Sequence, residues 1–141
     1  MEDKQHVCGR CFCGKVQFEI QTPVINIIFC HCNLCRQANG SDYTTWVRVS
    51  RESFDLRRGE MELVRSEATT YASNYFCIHC GTTIYTEDIR YPNFYSVLRG
   101  VIRDELDQQP SQHFFYDSKL PWVEFNDSLP KFGGKGGREP L

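Results

Sequence analysis

The sequence predicts an all-β, or at least β-dominated, fold, and three observations point to it. Short segments either alternate apolar with polar residues or are rich in β-branched and aromatic residues, which is typical of strands. Glycines separate these segments at short intervals, as turns between strands require. No window of the chain has the apolar period of a long helix.

The predicted strands follow one another closely along the chain. In the first of them Val16, Phe18 and Ile20 share one face, because strand side chains alternate between the two sides. The predicted strands cover residues 15–20, 24–29, 43–49, 53–56, 62–65, 69–75, 83–86, 94–98 and 113–116. The one segment that favours a turn of helix is residues 33–39.

Composition limits the class of protein. A chain of 141 residues, 40% of them hydrophobic, can bury one real core and is too apolar to be disordered. The formal charge of −2 argues against a dedicated nucleic-acid binder and against a polybasic membrane anchor. The N-terminal segment is charged and polar, with no apolar leader, and no run is long enough to span a membrane. We therefore expect a cytoplasmic protein whose thiols stay reduced.

The predicted domain organisation is a single zinc-binding domain over residues 1–132, followed by a flexible tail at 133–141. The last eleven residues contain four glycines, which is typical of a mobile end.

Eight cysteines in so short a chain demand a use, and their spacing separates two sets. Cys77 and Cys80 form C-x-x-C-G, a knuckle that presents two sulfurs to one ion. Cys11 and Cys13 form C-x-C-G, and pairing the two motifs predicts a closed, structural four-thiolate zinc site. Disulfides are the alternative, disfavoured because a C-x-C bridge is strained and the expected compartment is reducing.

The second set is the C-x-C-x-x-C run of Cys30, Cys32 and Cys35. Three thiolates can bind zinc and leave the fourth position open, which is the arrangement that catalytic zinc sites use. Spacing alone leaves two other readings open. Cys8, or a histidine in the cysteine loops (His31 or His79), could close the site, and the three thiols could form a metal-free redox triad. Arg36, directly after Cys35, could hold an anionic group or only screen the thiolates.

Three motifs, taken in order, resemble a known family. They are C-x-C-G-x-V-x-F-E from Cys11, C-H-C-x-x-C-R from Cys30, and F-C-x-x-C-G-T from Phe76. This order resembles the glutathione-dependent formaldehyde-activating enzymes, a family that includes centromere protein V. The similarity extends from about Cys11 to Phe132 and includes Leu120-Pro121-Trp122 near the C-terminal end.

The resemblance implies an Mss4-like fold of several small coiled β-sheets organised around zinc, with two zinc ions in each chain. Cys11, Cys13, Cys77 and Cys80 would hold the structural zinc, in agreement with the spacing. The catalytic zinc would lie on Cys30, Cys32 and Cys35. The implied activity is that of a carbon–sulfur lyase that forms or cleaves S-(hydroxymethyl)glutathione, with glutathione as co-substrate and a small aldehyde.

Glutathione carries two carboxylates, and the sequence offers three arginines to meet them: Arg36, Arg48 and Arg103. Two other functions stay open from the sequence. One is a non-enzymatic zinc module that binds another protein, and the other is a cysteine-based redox or metal sensor. The expected partners are small thiols and aldehydes, with no nucleic acid and no membrane.

Overall fold

A computed structural model describes residues 5–141, and most of these residues lie in or between short strands. The strands are β1 His6–Arg10, β2 Gln17–Gln21, β3 Asn26–Cys30, β4 Thr44–Ser50, β5 Phe54–Arg58, β6 Leu63–Glu67, β7 Ala72–Cys77, β8 Thr83–Asp88, β9 Phe94–Leu98, β10 Gln112–Phe114, β11 Phe132–Gly133 and β12 Glu139–Pro140. The helix α1 spans Asn33–Asn39 and ends at Gly40, which takes the left-handed conformation.

The strands form two main sheets and one short hairpin. The smaller main sheet is antiparallel, in the order β1-β2-β5. The larger has seven strands in the order β10-β3-β4-β9-β8-β7-β6, with only the β10–β3 pair parallel. The hairpin consists of β11 and β12. These sheets confirm the β-dominated fold class predicted from the sequence.

The main core contains apolar side chains from both sheets. Phe18 and Ile20 of β2 are buried, as their alternation predicts, and they belong to one cluster with Val47 and Val49 of β4 and Val97 of β9. A second, smaller cluster contains Ile28, Cys30, Trp46 and Phe114. The second set of cysteines therefore lies against this smaller cluster, away from the main core.

The sequence misses β1, and the reason is local. His6–Arg10 contains a glycine and few β-branched residues, so it lacks the composition of a strand. It pairs with β2 along its whole length, and a Cβ at Gly9 would lie 2.1 Å from the Phe18 ring. Gly9, which weakens the strand signal in the sequence, is thus the residue that lets the Phe18 ring pack against β1.

The C-terminal residues, expected to be a flexible tail, are placed against the rest of the chain. Phe132–Gly133 pairs with Glu139–Pro140, and the amide of Gly134 donates to Asp117. How much this segment moves in solution stays a prediction, as does the assignment of residues 1–132 to one domain. Among residues 5–141, no helix is both long and apolar enough to cross a membrane.

We expect Gly59→Ala to lower the free energy of unfolding by about 2–3 kcal/mol. Gly59 has a φ of +90°, and a Cβ there would lie 2.3 Å from the carbonyl oxygen of Lys15, a backbone atom that cannot turn away. Urea unfolding of the metal-loaded protein measures the change. Gly100→Ala is the matched control, because nothing lies within 4 Å of its added Cβ. Equal stability of the two variants would contradict the prediction.

Candidate functional site

The first set of cysteines converges from two distant parts of the chain. Cys11 and Cys13 lie in the turn after β1, Cys77 ends β7, and Cys80 lies in the turn that leads to β8. The sulfurs of all four approach within 4.8 Å of one another. Cys13 Sγ lies 3.6 Å from Cys11 Sγ and 3.8 Å from Cys77 Sγ. The structure thus brings together the four thiols that the sequence grouped.

Each of the two turns is closed by a glycine. Gly14 has a φ of +82° and donates to the carbonyl of Cys11, and Gly81 has a φ of +76° and donates to the carbonyl of Cys77. Positive φ is costly for other residues, so these glycines let each turn fold its two sulfurs to the same side. The C-x-C-G and C-x-x-C-G patterns therefore predict the turns as well as the ligands.

Hydrogen-bond donors near the sulfurs favour the thiolate form. The amide of Val16 donates to Cys11 Sγ at 3.3 Å, and the Thr82 hydroxyl lies 3.1 Å from Cys80 Sγ. Burial alone would raise the pKa of Cys80, but hydrogen bonds, with that of Thr82 foremost, lower the pKa to about 5. A thiol that ionises this readily is suited to metal binding.

The spacing of the four sulfurs fits a tetrahedral metal ion. Zinc–sulfur bonds of about 2.3 Å place tetrahedral ligands about 3.8 Å apart. The sulfur–sulfur distances of 3.6 and 3.8 Å agree with this value. Four thiolates are a soft ligand set that selects zinc or iron, and a closed set of this kind is structural. This cysteine cluster can therefore hold a metal ion.

The second set of cysteines lies where β3 meets α1. Cys30 ends β3, Cys32 precedes the helix as its N-cap, and Cys35 lies within it. Cys30 Sγ lies 3.7 Å from Cys35 Sγ, again close to the edge of a tetrahedral zinc–thiolate site. The three sulfurs are gathered less tightly than the first set: among the described residues they do not form a group whose ligand atoms all lie within 4.8 Å.

The three thiols influence one another's ionisation. Cys30 and, after it, Cys35 interact with the Cys32 thiol and lower its pKa. In turn the interaction with Cys32 raises the pKa of Cys30, and burial adds to the shift. All three residues line a cavity of about 200 Å³.

The Arg36 side chain forms hydrogen bonds that link the loop carrying these thiols to another part of the chain. Its Nη1 donates to the backbone carbonyl of His31 and, at 2.8 Å, to that of Ser118. Because its guanidinium donates to two backbone carbonyls, the Arg36 side chain binds the protein's own backbone. The structure therefore gives Arg36 a supporting role, where the sequence offered it as a ligand for a carboxylate.

Two histidines support the same loop from behind. His31 and His113 are both 0% exposed, and His31 Nε2 lies 3.0 Å from His113 Nδ1. His113 Nε2 lies 3.0 Å from Asp127 Oδ2, so in the neutral pair His113 donates to Asp127 and accepts from His31. Burial, followed by the nearby His113, lowers the pKa of His31 to about 4, which favours its neutral form. The hydrogen bonds from His31 to His113 and from His113 to Asp127 fix the orientation of His31, the residue between Cys30 and Cys32.

The cavity beside the second set of thiols is lined by basic and aromatic side chains. Its arginines are Arg48, Arg90 and Arg138, and its aromatic residues include Tyr91 and Phe114. The third arginine offered by the sequence, Arg103, does not line this cavity; its amide donates to the carbonyl of Cys8 beside β1. Of the three arginines that the sequence offered as carboxylate ligands, Arg48 lines this cavity, whereas Arg36 and Arg103 do not.

Cys8 does not join the second set. It lies on β1 opposite Glu19 of β2. Its sulfur lies within 4.8 Å of ligand atoms of His6 and Glu19. A larger and more polar cavity, of about 570 Å³, lies beside His6 and Glu19 but is lined by neither set of cysteines. The alternative in which Cys8 closes the site on Cys30, Cys32 and Cys35 is therefore not supported by its position.

Sequence reasoning missed two parts of the site. Arg138 lies in the glycine-rich end, which was expected to be mobile, and the contact between His113 and His31 joins residues far apart in the chain. A signal was available for Arg138, because the glycines end at Gly137 and are followed by Arg138, Glu139 and Pro140. No comparable local signal pairs the histidines.

Comparison with known proteins agrees with this geometry. The family model described as glutathione-dependent formaldehyde-activating enzyme matches residues 6–118. A Halomonas elongata protein, whose curated name assigns it provisionally to these enzymes, is 25% identical over 127 residues, covering 82% of this chain and 78% of the relative. A crystal structure of a Rhodobacter sphaeroides protein matches with a TM-score of 0.59 and 22% identity, covering 71% of this chain and 91% of that one, which supports the fold alone. Because the family match spans most of its length, this chain belongs to the glutathione-dependent formaldehyde-activating enzyme family.

Proposed function

We propose that this protein is a carbon–sulfur lyase that forms or cleaves thiol adducts of small aldehydes, of which S-(hydroxymethyl)glutathione is the type. The observation that carries this proposal is one cavity lined by Cys30, Cys32 and Cys35 together with several arginines. Thiolates suit a soft metal ion, and arginines suit the carboxylates of a thiol such as glutathione. The family to which the chain belongs supports the same chemistry.

We propose two zinc ions in each chain, one in each set of thiols. Cys11, Cys13, Cys77 and Cys80 would hold a structural ion, whereas Cys30, Cys32 and Cys35 would hold an ion with one exchangeable position. Zinc bound by the second set would keep an incoming thiol ionised at neutral pH. Three thiolates already outweigh its charge, so we expect it to capture the thiol more effectively than it polarises an aldehyde.

The reaction itself makes modest demands on the chain. In the forward direction the thiolate sulfur adds to the carbonyl carbon, a carbon–sulfur bond forms, and the carbonyl electron pair moves to oxygen, which takes a proton from water. In the reverse direction the same bond breaks and nothing is oxidised or reduced. The residues lining the cavity would bind the thiol, orient it and hold it near the aldehyde, which is the contribution of proximity.

The location proposed from the sequence is the cytoplasm. Eight cysteines, seven of them proposed zinc ligands, fit a compartment that keeps thiols reduced.

A second candidate, a protein-binding zinc module, is favoured by one observation. Phe12 and Ile78, which lie in the two turns of the four-thiol set, are exposed, and so is Met61. Exposed apolar side chains around a metal site can contact a protein partner. Such a module would not need an exchangeable metal position.

Cobalt substitution separates the two functions. We expect the absorption bands of a cobalt-loaded protein to shift when glutathione is added, because a thiol enters the open position on the second set. Turnover of glutathione with formaldehyde should then exceed the uncatalysed rate. Cys8→Ser is the control and should respond like the unchanged protein. An unchanged spectrum together with an unchanged rate would reject the enzyme and leave the binding module.

A further inference from the structure

Two arginines contact the same aromatic ring in the cavity. The guanidinium carbon of Arg48 lies 5.2 Å from the centroid of the Phe114 ring, and that of Arg138 lies 5.1 Å from it. Arg48 also lies 4.9 Å from the Phe94 ring, and Arg138 lies 4.4 Å from the Tyr91 ring. Contacts with aromatic faces hold each planar guanidinium in place and leave its N–H groups available.

Neither of these arginines forms a close ion pair with an acidic side chain among residues 5–141, although Asp88, in the same cavity, lies near enough to Arg138 for their charges to interact. Within residues 5–141, no side-chain hydrogen bond or ion pair engages Arg48 or Arg138, whereas Arg90 of the same cavity binds Asp88 through two hydrogen bonds, at 3.0 and 2.7 Å. Burial, and then the charge of Arg138, lower the pKa of Arg48, which indicates that the two positive charges repel. An anion between them would relieve that repulsion.

The C-terminal hairpin holds Arg138 at the cavity. The amide of Phe115 donates to the carbonyl of Gly137 at 3.0 Å, and the amide of Gly134 donates to Asp117 at 3.0 Å. A Cβ at Gly137 would lie 2.2 Å from the Phe115 ring, so only glycine allows this close approach. The residue next to Arg138 is thus fitted to the body of the protein. Arg138 also lies beyond residues 6–118, the part matched by the family model.

We propose that Arg48 and Arg138 form a carboxylate subsite, which selects thiols that carry a carboxylate over uncharged thiols. The thiol would reach Cys30, Cys32 and Cys35 in the same cavity while its carboxylate lies between the two guanidinium groups. This inference rests on the proposed function for the identity of the substrate. It assigns specificity to an arginine in the glycine-rich end of the chain.

The test measures binding apart from turnover. S-methylglutathione keeps both carboxylates and has no free thiol, and its dissociation constant for the metal-loaded protein can be followed by calorimetry. We expect Arg138→Gln and Arg48→Gln each to weaken binding about tenfold, as the loss of one charge-assisted hydrogen bond does. Arg138→Lys should weaken it less, because the charge remains but the planar fork is lost.

Arg57→Gln is the matched control. It removes the same charge from an exposed arginine that pairs with Asp55 on the other sheet, and it should leave the dissociation constant unchanged. An equal dissociation constant in Arg138→Gln, Arg48→Gln and the unchanged protein would overturn the subsite. So would failure of the unchanged protein to bind S-methylglutathione.

Kinetics distinguish failure of the subsite from failure of the proposed function. If both hold, Arg138→Gln should lower kcat/KM about tenfold for glutathione and leave it unchanged for 2-mercaptoethanol, which has no carboxylate. Turnover with an equal loss for both thiols would overturn the subsite while keeping the enzyme. Absence of turnover with either thiol, but tenfold weaker binding of S-methylglutathione by Arg138→Gln, would reject the enzyme and support the subsite.

Discussion

Cys77→Ser is expected to abolish metal binding at the four-thiol set and to lower the free energy of unfolding by about 5 kcal/mol or more. Serine is nearly the same size, so packing around this fully buried residue changes little and the loss comes from the metal. A structural zinc ion contributes about 10–16 kcal/mol of binding energy, which becomes folding energy because the unfolded chain has no site. That amount is comparable to the whole stability of a domain of this size.

The effect should spread beyond the site because of where the four thiols lie. Cys11 and Cys13 follow β1 in the smaller sheet, and Cys77 ends β7 in the larger one, so an ion bound by all four thiols would join the two sheets. Metal content, with urea unfolding followed by circular dichroism, measures both changes. Cys35→Ser is the control and should keep the structural ion and nearly all the stability. A Cys77→Ser protein with unchanged metal content and unfolding midpoint would show that the four thiols do not form a structural metal site.

Most of the fold could be predicted because its signals are local. Residues 33–39 form the predicted helix, and every predicted strand overlaps an observed one. The missed strand β1 depends on its partner, since Gly9 has no strand preference and is placed by its contact with Phe18. The hairpin at 132–140 is likewise fixed by distant contacts, of Gly134 with Asp117 and of Gly137 with Phe115. Composition alone could not predict those contacts.

The candidate site divides in the same way. Cys77 and Cys80 are grouped by short spacing and a following glycine, and the same holds for Cys11 and Cys13, so a reader of the sequence can pair them. Sequence spacing cannot assign the arginines to the site, because their roles depend on which groups their guanidinium ends contact in the folded protein. Arg36 follows Cys35 directly, yet it binds two backbone carbonyls. Arg138 lies more than a hundred residues from Cys30, yet lines the same cavity.

Cys35→Ser is expected to lower turnover of glutathione with formaldehyde by about a hundredfold or more, with little change in stability. Residues that only support metal ligands cost about 10–100-fold when they are replaced, so a direct ligand should cost at least the upper end of that range. Cys35 Sγ lies 3.7 Å from Cys30 Sγ. Loss of the Cys35 thiol would leave two thiols in the second set, too few to retain a zinc ion that has an exchangeable position.

Brief exposure to a mild chelator provides a second readout for the same variant. The unchanged protein should lose one of two zinc ions and the corresponding activity, whereas Cys35→Ser should begin with one ion and lose none. Cys8→Ser, whose sulfur groups with His6 and Glu19, should behave like the unchanged protein in both assays. Turnover that survives in Cys35→Ser would remove Cys30, Cys32 and Cys35 from the reaction and make the second set structural. If instead the labile ion and the activity are lost together in that variant alone, the two sets have the separate roles that we propose: a closed site that holds the sheets and an open one that holds the thiol.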